Sequence, residues 1–243
     1  MNFVKGMKKK MIKVAIAGSD NASRAAAMLQ KYAPPDMTIT HIETLKPFTH
    51  DYDLIINFST RPGRIAVLLT CGGVKVARVC GSDWHRSILG KELHRAMLWL
   101  SGLNIMYASE ALKKDVWLSG EVHVNPVNED HFYPRDVPRD KEVCYYVNRG
   151  RAPYHPELMP EGATLIDGTV PYEEMPTLLS RHKRYERNIL HNAAPKLPYE
   201  ALLCGCEVWV NGEKLDVVPE YMLSSYQGPR WVRYLFGLLP VSL

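Results

Sequence analysis

Pro195-Lys196-Leu197-Pro198-Tyr199-Glu200-Ala201-Leu202-Leu203-Cys204-Gly205-Cys206-Glu207-Val208 reads as a loop stiffened by two prolines, then a short helix. One acid stands near the helix start, a Cys-Gly-Cys stop ends it, and an apolar strand runs on from Val208 to Val210. Loop, helix and strand in that order are the return half of a βαβ unit, which implies a parallel sheet. A helix start carries unpaired backbone N–H groups and a partial positive charge, so it suits a phosphate. A first-turn carboxylate such as Glu200 can accept hydrogen bonds from sugar hydroxyls. The alternative use of Glu200 is to complement the helix dipole.

Outward from this segment the alternation continues. Ile12 to Ala17 reads as a strand and Gly18-Ser19-Asp20-Asn21 as a turn. Ala22 to Tyr32 is an Ala-rich helix that stops before Pro34-Pro35, since proline cannot continue a helix. Strands follow at Thr38 to Glu43, at Asp53 to Phe58, at Val74 to Val79 and at Leu103 to Tyr107. The apolar run Asp53 to Phe58 suits a strand buried on both faces. Helices are expected over Gly63 to Leu69 and Ser87 to Leu100, the latter from its apolar spacing.

Pro134 to Lys141, rich in proline and charge, reads as a linker. Beyond it the pattern repeats in shorter form: strands at Val143 to Val147, Ala163 to Asp167, Arg187 to Leu190 and Glu207 to Val210. Helices are expected at Tyr172 to Ser180, Tyr199 to Leu203 and Glu220 to Leu235. The basic run Arg181 to Arg187 reads as a solvated turn, with phosphate or membrane binding as the alternative. The fold class is therefore α/β, with domains over 1–134 and 142–243.

Length and composition agree with this. A chain of 243 residues holds one large domain or two small ones, each able to bury a core. With 46% hydrophobic and 23% charged residues, it has the make-up of a soluble globular protein. A net charge of +4 does not call for nucleic acid and suits an anionic ligand such as a nucleoside diphosphate. The five cysteines show no paired metal-ligand spacing and read as small buried residues in a reducing cytosol. Asp20, Lys13 and Arg24 interrupt the apolar start, and no stretch is long enough to cross a bilayer. The expected location is cytoplasmic.

Leu197, Pro198, Glu200, Ala201 and Gly205 resemble, in register, the donor-binding motif of retaining, nucleotide-sugar-dependent glycosyltransferases with the two-domain GT-B fold. That pattern is Glu, seven residues, Glu, with Gly-Leu-Pro before the second acid. Here Asn192 stands where the first acid is expected. Three further segments resemble the family in the same order. Ile105 to Lys113 is similar to its strand and Ser-Glu-x-Leu-Lys. Asn125, Val127, Phe132 and Pro134 match the segment that closes its N-terminal domain. Val143 to Val147 with Arg149-Gly150-Arg151 is similar to the strand and Gly-Arg turn that opens its second domain. The long helix with a Lys-Gly pair that usually follows is missing; Arg151 leads through Pro153, Pro156 and Pro160 to the next strand.

The resemblance implies two abbreviated Rossmann-like domains facing across a cleft, and transfer of a sugar from UDP-sugar or GDP-sugar to an unknown acceptor. It implies retention of configuration and no metal or other cofactor. Glu200 is then expected on the donor ribose and Asn192 toward the donor sugar. Arg149, Arg151 and Lys196, with backbone N–H groups around Leu197, are expected on the diphosphate, since fixed cations stabilise that leaving group. Gly18, in the first βα turn, lets the backbone approach a ligand. The loop Cys80-Gly81-Ser82-Asp83-Trp84-His85 corresponds to one that carries a histidine in the family. Cys80 takes the aligned position, leaving Asp83 or His85 to reach the sugar, with a helix N-cap as the alternative for Asp83. Arg230 to Leu239, basic and aromatic, is expected to cross back onto the first domain, or else to touch a membrane surface. The rival reading is a relative that binds a sugar nucleotide or a partner without turnover, because the first acid, the Lys-Gly pair and the histidine are all absent. A dinucleotide role is disfavoured: no Gly-x-Gly-x-x-Gly is present.

Overall fold

A computed structural model describes residues 11–80, 84, 90–147, 158–166, 169–188 and 196–239. The chain forms two compact units, residues 1–123 with 228–243, and residues 124–227. The division therefore falls at 123/124 and 227/228, not in the segment 134–142 expected as a linker. The segment from Asn125 to Pro134, expected to close the first domain, lies in the second unit.

The first unit holds strands β1 (Ile12–Ala17), β2 (Met37–Ile42), β3 (Leu54–Asn57), β4 (Val74–Val79), β5 (Asn104–Tyr107) and β6 (Glu121–Val122). Its helices are α1 (Asp20–Tyr32), α2 (Pro62–Thr70), α3 (Gly90–Leu100) and α4 (Glu110–Val116). All six strands are parallel, in the order β2-β1-β3-β4-β5-β6. Alternate residues serve opposite faces, as strand geometry requires. Val14, Ile16, Leu54, Ile56, Val76 and Met106 pack against Ala22, Ala25, Ala26 and Leu29 of α1. Ala77, Val79, Ile105 and Tyr107 face the other way, onto Ile65 of α2, Leu98 of α3 and Leu112 and Val116 of α4. Ala15 and Ile55 meet Leu68 of α2. The result is a sheet covered on both faces, which explains why its central strands read as continuous apolar runs.

The second unit holds β7 (Lys141–Tyr146), β8 (Thr164–Ile166), β9 (His182–Arg187), β10 (Glu207–Val210) and β11 (Glu213–Leu215), with α5 (Met175–Ser180) and α6 (Leu197–Leu203). The strand order is β11-β10-β9-β7-β8, parallel except for β11, which returns antiparallel on β10. Read from its own first strand, this order is the same as that of the first unit: second, first, third, fourth, fifth. Cys144, Ile166, Tyr185 and Val208 bury one face under Leu179, Ala201, Cys204 and Cys206, with Val127 and Phe132 in the same core. Helix α7 (Ser224–Leu238) begins in the second unit and continues into the first, where Trp231, Val232 and Leu235 join the core over β1 and β3. The expected packing of the C-terminal helix on the first sheet is thus present. Gly228 lets it approach α1, since a Cβ there would lie 2.1 Å from the Tyr32 ring.

Two elements differ from the sequence reading. The basic run is not a solvated turn: His182–Arg187 is β9, the central strand of the second sheet, and the expected strand at Arg187 to Leu190 ends at Arg187. His182 and Tyr185 are buried while Lys183 is exposed. Lys183 pairs with Glu142 and Arg184 with Glu186, so cross-strand and same-strand carboxylates neutralise the run. The proline-rich segment is also tied down. Arg139 donates to Gly205 O and, at 3.0 Å, to Cys204 O, the carbonyls that end α6. Asp140 takes two bonds from Arg181, at 3.1 and 2.7 Å, and the Arg135 amide donates to Ser180 Oγ at 2.9 Å.

Candidate functional site

In an open parallel sheet a crevice opens beyond the carboxyl ends of two neighbouring strands whose connections leave in opposite directions. In the second unit that point lies between β7 and β9, since β8 is on one side of β7 and β10 on the far side of β9. Their carboxyl ends are adjacent: the Arg187 guanidinium sits 4.6 Å from the Tyr146 ring centroid. Asn188 Nδ2 donates to Tyr145 Oη at 3.2 Å. Among the site residues expected from sequence, Arg149 and Arg151 follow β7, and Asn192 follows β9; all three lie outside the described residues.

Helix α6 follows at Leu197. Its first turn has Lys196 at the N-cap position, half-buried Leu197 and buried Pro198, which needs no N–H partner there. Glu200 is buried, only 3% exposed. Its Oε1 takes no hydrogen bond among the described residues, and Lys196 Nζ lies 3.3 Å from it. Among the described residues no side chain caps the helix, so Glu200 is not spent on the first-turn N–H groups. Lys196 is itself largely buried and sits 5.6 Å from the ring centroid of Tyr172. Tyr172 in turn stacks on His131, centroids 4.4 Å apart, and its carbonyl meets His131 Nε2 at 3.1 Å. Lys196, Glu200, Tyr172 and His131 therefore form one partly dry cluster. Lys196 is turned toward Glu200 rather than standing alone as an expected phosphate cation.

Sequence reasoning did not single out Arg187, Tyr172 or His131. Arg187 was hidden in the basic run, and its position at the end of the central strand follows only from the register of β9 on β7. His131 lay in the segment Asn125 to Pro134, matched there for Asn125, Val127, Phe132 and Pro134; of these, Val127 and Phe132 are fully buried core residues. Glu129 of that segment has a structural task. It accepts from Ser224 N at 2.8 Å, Ser224 Oγ at 2.6 Å and Ser225 N at 2.8 Å, capping α7 from 95 residues away. Burial favours its neutral form, but these hydrogen bonds outweigh that and hold its carboxyl down at about 2.

In the first unit the corresponding switch point lies between β1 and β3. Gly18 stands there with φ +143, and a Cβ would come within 3.0 Å of Phe58 and 3.1 Å of Ala22. Gly18 is thus required by backbone conformation and by close packing. Its carbonyl is 2.7 Å from His41 Nε2. Asp83 and His85 lie outside the described residues, and Cys80 is partly buried at the end of β4. No group of three His, Cys, Asp or Glu gathers as metal ligands among the described residues. All five cysteines are free thiols. No described helix is long and apolar enough to cross a membrane. No family model matches the chain, and no curated protein matches it significantly.

Proposed function

We propose that this chain is a retaining glycosyltransferase that takes its sugar from a nucleoside diphosphate donor in the cytoplasm. The observation that carries the reading is Glu200: a buried carboxylate in the first turn of α6, the helix that follows β9, with its Oε1 held 3.3 Å from Lys196 Nζ. Helix α6 follows a strand whose carboxyl end lies at the ligand edge of its sheet, where a carboxylate oriented by a lysine suits a ligand hydroxyl. Glu200 would accept from the donor ribose, with Lys196 fixing its orientation. Arg149, Arg151 and Arg187 would supply charge to the diphosphate, where arginine can hold two oxygens at once. Pairing of the two units across a cleft, with Asp83 or His85 reaching the sugar from the first, belongs to this proposal.

Catalysis rests on Asn192. An amide can hydrogen-bond a sugar hydroxyl but cannot place negative charge beside an oxocarbenium-like transition state. The chain is therefore expected to bind donor normally and turn it over slowly. Asn192→Glu should speed donor hydrolysis in a coupled nucleotide-release assay while leaving nucleotide affinity nearly unchanged. A folded variant that binds nucleotide and gains nothing would assign the missing acid elsewhere, Asp83 first. The second reading, a sugar-nucleotide binder without turnover, is favoured by the same asparagine and predicts no release from either protein.

A further inference from the structure

His123 follows β6 and is only 1% exposed, yet among the described residues neither ring nitrogen has a hydrogen-bond partner. Its ring packs on α7, 5.7 Å from the Trp231 centroid and 4.8 Å from that of Tyr234. Arg78 of β4, which is fully buried, packs on the same Trp231 ring. The Arg78 guanidinium donates to His123 O at 2.7 Å and to Met106 Sδ at 2.9 Å, and it contacts the rings of both Phe58 and Trp231, 4.9 and 4.5 Å from their centroids. One cation thus ties the carboxyl ends of three strands to the C-terminal part of α7.

We infer that this cluster is an acid-sensitive latch: neutral His123 holds residues 228–238 of α7 on the first sheet, and a proton on His123 releases them. The charges around the ring decide this. Arg78 from β4 and Arg230 from α7 both oppose a second cation, while Tyr234 of α7 offers none of the opposite sign. Glu121 of β6 favours the proton, with Oε2 3.7 Å from Nε2, but it is 60% exposed and its charge is solvated. Burial first, then Arg78 and Arg230, keep His123 neutral down to about pH 4. A histidine held neutral by the fold contributes stability that is complete above its unfolded value of about 6.5. That contribution is lost as pH falls from there toward the folded value.

Hydrogen exchange of the full-length chain between pH 7.5 and 4.5, corrected for intrinsic rates, tests the latch. Amides of 228–238 should lose protection roughly 100-fold more than those of β1 and β3. His123→Phe, which keeps a ring in place, should abolish that difference. Equal loss in α7 and the strands, or an unchanged difference in the variant, would overturn the proposal. If the variant does not fold, the native His123 ring resonance decides it: no titration above about pH 5 is expected, and an ordinary midpoint near 6.5 overturns the latch.

Discussion

Gly18 and Glu129 show how single residues serve the fold here. Gly18 holds a left-handed φ and leaves no room for a methyl group between Phe58 and Ala22. Gly18→Ala should destabilise the first unit by about 1–3 kcal/mol in a denaturant titration; an unchanged midpoint would mean the turn relaxes freely. Glu129 caps a helix far along the chain, and Glu129→Gln should cost about 1–2 kcal/mol. Its depressed carboxyl contributes stability that is complete above about pH 4.5 and is lost as pH falls through about 2. The wild type and the variant should therefore converge in stability between those values, as acid titration of the unfolding midpoint would read. Glu200 was visible in the sequence because it stands in a recognisable helix start. Its burial against Lys196 was not, because the pairing depends on how tightly α6 seats on the second sheet.

At the level of elements, strands with continuous apolar character were readable: β1, β3 and β4 fall within a residue of their expected limits. Long-range partners made the other elements hard to read. All six residues of β9 are charged or titratable, and Glu142 and Glu186 meet its cations Lys183 and Arg184 in the sheet. The segment from Pro134 to Lys141 resembled a linker by composition, yet Arg139 takes the place of a cap on the last carbonyls of α6. Arg139→Ala should fray that helix end and lower stability by about 1 kcal/mol, with faster exchange at the amides of 202–206. Exchange and stability equal to wild type would return the segment to a passive connection. The break between Glu220–Met222 and α7, where one closing helix was expected, follows from the cap that Glu129 provides at Ser224.

Over the whole molecule, the alternation of strands and helices was enough to foresee two α/β sheets. It could not give their strand order, because crossover choices are not written in local propensity. Both sheets reverse direction between their first and third strands, which sets a ligand edge in each. The expected boundary was displaced because Val127 and Phe132 bury themselves in the second core. The most direct test of the functional account is calorimetric titration of UDP and GDP into the wild type and Glu200→Gln. The account predicts that one nucleotide binds the wild type and that the variant loses about 1.5–3 kcal/mol of affinity while keeping its fold. Absence of binding by both nucleotides, or equal affinity in the two proteins, would contradict it.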